Sequence, residues 1–128
     1  MRRARTEQTI QAAIFQHLAC RGASGVYAFH VPNGGARSPI EGAILKGLGV
    51  RAGVPDVIAV RDGRTYALEI KSPGGRLTAA QNAAHAALRA AGATVETTFS
   101  LDDALTVLEG WGLLRPNRAS LRRASANA

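Results

Sequence analysis

Residues 53–71 read GVPDVIAVRDGRTYALEIK, and they carry the clearest structural signal in the chain. Two runs rich in β-branched and aliphatic residues, 56–60 and 65–70, flank the segment 61–64. The Asp-Gly pair inside that segment is a strong signal for a two-residue hairpin turn. The sequence therefore predicts two antiparallel strands. Both runs are mostly apolar on both faces, which is typical of central strands covered on each side.

The segments around this hairpin carry alternating helix and strand signals. Thr6 is a plausible N-cap for the first helix, and Ser38, Thr78 and Ser100 precede the others as capping residues. The predicted elements are a helix over residues 7–19, a strand over 26–31, a helix over 39–48, the two hairpin strands, a helix over 79–91, a strand over 94–99 and a helix over 101–111. The order α-β-α-β-β-α-β-α predicts an α/β domain over residues 1–114, followed by a basic, flexible tail over 115–128.

The composition of the chain sets limits on its class. Its 128 residues suit one domain, and 46% of them are apolar without any unbroken run long enough to span a membrane. The single cysteine excludes an internal disulfide framework. The start is basic but lacks the apolar stretch of a secretory signal, so we expect a cytoplasmic protein with no membrane partner.

The net charge of +7 lies in the two ends of the chain. Arginines at positions 2, 3 and 5 supply three positive charges, and those at 115, 118, 122 and 123 supply four, so residues 6–114 are close to neutral. Arginine-rich ends can bind a nucleic-acid backbone with little sequence preference. Arg118, Arg122 and Arg123 are therefore predicted to contact DNA. The alternative is a solvated, disordered tail, which the alanine, serine and asparagine content of the last ten residues favours.

The hairpin register predicts a chemical centre. A turn at Asp62 and Gly63 places Asp56 directly opposite Glu69, so the two carboxylates share one face of the sheet and repel each other. A divalent cation bound by these hard oxygen ligands would remove the repulsion. Lys71 lies on the same face, where it could position a water molecule or stabilise phosphate charge. This grouping suits metal-dependent hydrolysis of a phosphodiester. The alternative is a structural ion pair between Lys71 and an acid.

These residues resemble a known nuclease pattern. Gly53 to Asp56, followed after twelve residues by Glu69-Ile70-Lys71, is similar to the PD-(D/E)XK motif. A larger group of residues resembles one family within this pattern, the virus-type replication-repair nuclease family, VRR-NUC. The residues that carry this resemblance are Pro32-Asn33-Gly34-Gly35, residues 49–56, residues 69–78 and Gln81. The resemblance implies a restriction-endonuclease-like core, in which helices flank a mixed central sheet, and an endonuclease dependent on Mg²⁺ or Mn²⁺.

The resemblance also implies further site residues. Glu7 matches an additional acid beside the metal, although it could simply favour the start of its helix. The backbone carbonyl of Ile70 is implied as a metal ligand. Gln81 matches a glutamine of the active site and is also the third residue of a capping box, so both roles stay open. The predicted DNA contacts in the loops are Asn33, Gly34, Gly35, Arg37 and Arg76, and a plain turn is the alternative for residues 33–35.

The function that this resemblance implies is structure-selective cleavage of DNA. Small members of the family look like Holliday-junction resolvases, which act as homodimers on branched DNA. The alternatives are a nuclease for flaps, nicks or ends, and an inactive DNA-binding module of the same fold. The candidate dimer contacts are the helix over residues 79–91 and the segment 111–114, and core packing is the alternative for both. We expect a bacterial protein; small members of the family commonly occur in phages and prophages, which makes a phage or prophage origin one alternative.

Overall fold

The computed structural model describes residues 2–32 and 38–126, and its elements follow the predicted order. In chain order they are α1 (Arg2–Arg21), β1 (Tyr27–His30), α2 (Pro39–Gly47), β2 (Val57–Arg61), β3 (Arg64–Ile70), α3 (Ala79–Ala90), β4 (Thr94–Thr98), α4 (Leu101–Gly110) and α5 (Arg118–Ala126). The predicted α/β class is confirmed, and α5 is an additional element.

The four strands form one mixed sheet in the order β1-β2-β3-β4. β1 and β3 both pair antiparallel with β2, whereas β4 runs parallel to β3. Asp62 and Gly63 have φ angles of 52° and 75°, which is the backbone of the two-residue turn that Asp-Gly favours. Arg61 therefore lies opposite Arg64, and Val57 lies opposite Leu68. The predicted register is confirmed, and it places Asp56 and Glu69 at the same end of the sheet.

Helices cover both faces of this sheet. On one face, the main apolar core joins side chains from the strands to α1, α4 and the segment that follows α4; its members are Ile10, Ile14, Val57, Ala59, Leu68, Ile70, Ala104, Leu105, Leu108, Leu113 and Leu114. The other face carries Ala67 and Glu69, because side chains alternate along a strand. α3 packs over that face, and His85 of α3 is buried against Glu69. The prediction of a mixed central sheet with helices on both sides is confirmed.

Local capping explains where three of the helices begin. The Ser38 hydroxyl accepts a hydrogen bond from the backbone N–H of Glu41, and the Ser100 hydroxyl accepts one from the third residue of α4. At α3, Thr78 and Gln81 exchange both bonds of a capping box. The predicted cap at Thr6 is wrong, because α1 begins at Arg2. Arginine and alanine favour helix strongly, so the helix continues through the basic start of the chain.

The segment after α4 differs from a simple tail. Leu113 and Leu114 belong to the buried core, and Trp111 packs against Tyr66 with the two rings tilted and their centroids 5.1 Å apart. Core packing therefore accounts for this predicted dimer contact. α5 follows, and its Arg123 lies 3.4 Å from the Glu109 carboxylate of α4. The flexibility of residues 115–128 stays a prediction. Among the described residues, no helix is both long and apolar enough to cross a membrane.

Candidate active site

A cleft of about 440 Å³ lies at the end of the sheet where β2 begins and β3 ends. Four of the five predicted catalytic residues line it: Glu7, Asp56, Glu69 and Gln81. They come from α1, the turn before β2, β3 and α3, so residues far apart in the chain meet at one place. The cleft is therefore the candidate active site.

Asp56 is held in this cleft through both its backbone and its side chain. Its carboxylate accepts a hydrogen bond from the backbone N–H of Ile70 at 2.8 Å. Its carbonyl oxygen accepts from the Nδ1 of His30 at 2.7 Å and from the backbone N–H of Val31 at 3.2 Å. Three donors, from β1, from the residue after it and from β3, therefore fix the position of Asp56.

The turn before Asp56 depends on a glycine. Gly53 has a φ of 79°, and a Cβ atom added there would lie 2.3 Å from the backbone oxygen of Ala80 in α3. Only glycine combines this left-handed conformation with so close an approach. The turn that leads to Asp56 is therefore packed directly against the first turn of α3.

Glu69 is almost fully buried, with 2% of its surface exposed, and its ionisation is strongly perturbed. Burial, followed by a hydrogen bond with Asp56 and by the charge of Asp56, raises the pKa of Glu69 to about 9. The Lys71 charge opposes this rise, and the Glu7 charge adds to it. At neutral pH the metal-free protein therefore keeps a proton on Glu69. The part of this rise that comes from the Asp56 charge is the carboxylate repulsion that the hairpin register predicts.

His85 and His30 were both absent from the predicted site, and of the two His85 contacts a predicted catalytic side chain. The Nε2 atom of His85 lies 3.0 Å from the Oε1 atom of Glu69, and only 1% of the histidine is exposed. Burial, followed by the charges of Arg89 and Lys71, lowers the pKa of His85, so the ring is neutral at neutral pH. A signal was present in the sequence. His85 follows Gln81 by four residues, so both side chains lie on one side of α3.

Glu7 and Gln81 each combine a structural contact with a place in the cleft. The Glu7 carboxylate accepts a hydrogen bond from the backbone N–H of Ser72 at 3.1 Å, which ties α1 to the residue after Lys71. The Gln81 side-chain oxygen accepts from the backbone N–H of Thr78 at 2.9 Å. Capping and cleft lining are therefore compatible roles for Gln81.

Lys71 does not line the cleft among the described residues, but it lies beside it. Its charge acts on the ionisation of both Glu69 and His85. Its backbone N–H donates to the carbonyl of Thr98 at 2.8 Å, which extends the pairing of β3 and β4 by one residue. The lysine is therefore anchored by its backbone next to the two acids.

The residues present fit a divalent cation. Within residues 2–32 and 38–126, no group of three or more His, Cys, Asp or Glu side chains forms a ready metal site. The donor set is instead the Asp56–Glu69 pair together with the neighbouring Ile70 carbonyl, which are hard oxygen ligands suited to Mg²⁺ or Mn²⁺. A bound cation would favour the ionised form of Glu69 and so lower the pKa of its carboxyl group. Fewer than three protein carboxylates is usual for Mg²⁺, which keeps several water ligands.

Comparison with known proteins identifies a solved structure with the same fold. No family model matches the chain, and no curated protein matches it. A solved structure described as a VRR_NUC domain protein is similar to it with a TM-score of 0.69, at 24% sequence identity, over 83% of this chain and 87% of that one. The chain has the VRR-NUC fold. The fold that the sequence resemblance implied is thereby confirmed.

The predicted DNA contacts are only partly placed within this VRR-NUC fold. Positions 33–37, which hold the predicted contacts Asn33, Gly34, Gly35 and Arg37, lie outside the described residues. Arg76 is exposed in the loop between β3 and α3. Arg118 and Arg122 are exposed on α5, whereas Arg123 is engaged with Glu109. None of these four arginines lines the cleft.

Proposed function

We propose that this chain is a VRR-NUC nuclease, an endonuclease of the PD-(D/E)XK type that hydrolyses DNA with Mg²⁺ or Mn²⁺. The observation that carries the proposal is the convergence of Asp56 and Glu69 in one cleft, where burial, followed by the neighbouring Asp56, raises the pKa of Glu69 to about 9. Two ionised acids held so close together repel each other, and a bound cation removes that repulsion while leaving both acids ionised. The shared fold with a VRR_NUC domain protein supports the same function.

The residues in the cleft and Lys71 beside it would have different roles in the reaction. Asp56, Glu69 and the Ile70 carbonyl would hold the cation, which, when bound, polarises the scissile phosphate and acidifies a bound water. Lys71 would position the attacking water or stabilise charge on the phosphate. Glu7 holds the backbone of Ser72 and so fixes the chain immediately after that lysine.

A panel of labelled DNAs tests this proposal. Purified protein would be incubated with junction, flap, nicked and linear substrates in Mg²⁺, in Mn²⁺ and in EDTA, with Asp56→Asn as the matched inactive control. We expect cleavage that requires the metal and is lost in the variant. Cleavage in EDTA, or equal cleavage by Asp56→Asn, would contradict the assigned site.

The finer part of the proposal is a homodimer that cuts branched DNA. α2 supports it, because none of its nine residues is buried and it presents Ile40 and Ile44 to solvent, with Leu48 just beyond its end. A groove of about 900 Å³ lies between α2 and the alanine-rich α3. Exposed apolar surface of this kind marks interaction sites.

Assembly and substrate choice can be tested together. Light scattering should give twice the 13.4 kDa of the chain, and Ile44→Glu should shift the protein to the monomer mass. On a junction, the dimer should make two symmetric nicks. If the protein is a strict monomer and cuts flaps, nicks or ends better than junctions, it is not a resolvase. It would then be a nuclease for flaps, nicks or ends. Metal-independent binding without cleavage would instead indicate an inactive module.

A further inference from the structure

The contact between His85 and Glu69 is buried and polar. The imidazole Nε2 and the carboxylate Oε1 are 3.0 Å apart, and the two side chains are 2% and 3% exposed. The other ring nitrogen, Nδ1, is buried without a hydrogen-bond partner among the described residues. A neutral imidazole carries one N–H. When Glu69 is ionised, that N–H must be on Nε2, where it donates to the carboxylate.

We propose that His85 is a positioning residue, which holds the Glu69 carboxylate in the orientation that binds the catalytic cation. This inference rests on the proposed nuclease function. Glu69 is held between two partners, with His85 on the α3 side and Asp56 on the cleft side. Donors to a metal-binding carboxylate fix its orientation and tune its affinity for the metal.

The helix that carries His85 is itself fixed to the site. The capping box at Thr78 and Gln81 closes the first turn of α3, and the turn at Gly53 packs against Ala80 in the same helical turn. The imidazole, the Gly53 turn and Asp56 are therefore parts of one packed unit. The position of His85 relative to both acids follows from the fold.

Packing alone does not explain a histidine at this position. A buried imidazole with an unpartnered nitrogen costs free energy that a leucine of similar size would not cost. On the same face of the sheet, the neighbouring buried residues Ala67 and Val95 are apolar. The polar side chain occurs where it meets Glu69.

Two amide substitutions of different length test the proposal. In His85→Gln the amide nitrogen reaches about the place of Nε2, whereas in His85→Asn it falls short of Glu69. His85→Leu removes the donor altogether. Val95→Ala is the control, because it weakens packing on the same sheet face without touching Glu69. For each protein we would measure Mn²⁺ affinity by electron paramagnetic resonance without DNA, the melting temperature, and DNA binding in EDTA.

We expect His85→Leu and His85→Asn to bind Mn²⁺ roughly 10- to 100-fold more weakly than wild type, the usual effect of losing such a donor. His85→Gln should recover most of that affinity. Val95→Ala should melt at a lower temperature with unchanged Mn²⁺ affinity, and DNA binding in EDTA should be unchanged in all variants. If His85→Leu does not fold, the difference between glutamine and asparagine decides the question.

Two outcomes separate the positioning role from the function on which it rests. Wild-type Mn²⁺ affinity in both the asparagine and leucine variants, or equal losses in asparagine and glutamine, would overturn the role of His85 while the nuclease assignment stands. Wild-type protein that neither binds Mn²⁺ nor cleaves DNA would overturn the proposed function, and the role of His85 with it.

Discussion

Replacing Glu69 with glutamine should stabilise the metal-free protein, and the gain should grow with pH. The pKa of Glu69 is about 9 in the folded chain, against 4.5 for an ordinary glutamate. Because the folded pKa is the higher one, the stability that this proton supplies is complete below pH 4.5. It is lost progressively as the pH rises toward 9. Glutamine resembles the protonated acid and does not titrate.

The size of this effect follows from the linkage relation. Between the two pKa values, wild type loses about 1.4 kcal/mol of unfolding free energy per pH unit through Glu69. The pKa of the buried His85 is lowered, so His85 makes the unfolding free energy rise with pH. This opposite effect is confined to pH values below 6.5, the ordinary pKa of histidine. From about pH 6.5 to 8, wild type should therefore lose about 2 kcal/mol relative to Glu69→Gln.

Urea denaturation in EDTA at a series of pH values measures this difference directly. The control is the same series with saturating Mg²⁺, which should stabilise wild type and leave Glu69→Gln nearly unchanged, because ligands stabilise the state that binds them. Two stability curves that run parallel in EDTA across this window would refute the reasoning, since Glu69 would then be ionised beside Asp56 without a cation.

Three further predictions follow from the site and the ends of the chain. Asp56→Asn and Lys71→Ala should each abolish cleavage while DNA binding persists, and a gel-shift assay beside a cleavage assay checks both. Gly53→Ala should lower the unfolding free energy, measured in urea, by at least about 1 kcal/mol, because it forces a left-handed alanine against the Ala80 carbonyl. An unchanged urea midpoint would contradict the claim that this turn requires glycine. Removing residues 116–128 should flatten the plot of log affinity against log salt by up to about 3 units and spare turnover at saturating DNA. An unchanged slope would favour a tail without DNA contacts.

The parts of the fold that were predicted correctly depend on local chemistry. The Asp62-Gly63 turn sets the register of β2 and β3, and that register alone places Asp56 opposite Glu69. The capping residues Ser38 and Thr78 likewise act within one helical turn. Such signals are complete in a few consecutive residues, so the sequence predicts them without knowledge of tertiary contacts.

The parts that were missed depend on contacts between distant residues. His85 becomes part of the site only because α3 crosses the sheet at Glu69, sixteen residues earlier in the chain. α5 is capped locally by Asn117 and Ser120, but its charged composition resembles a tail, and the Arg123 contact with Glu109 is invisible until α4 is placed. Element boundaries and partners of this kind require the three-dimensional arrangement.

The most direct test of the central claim is single-turnover cleavage of labelled DNA as Mn²⁺ is titrated, with wild type and Asp56→Asn in parallel. If Asp56 and Glu69 hold the catalytic cation, the wild-type rate should be zero in EDTA and should saturate with Mn²⁺, and the variant should not cleave at any concentration of the metal. A wild-type rate independent of Mn²⁺, or a variant that reaches the wild-type rate, would contradict the claim that Asp56 and Glu69 hold the catalytic cation.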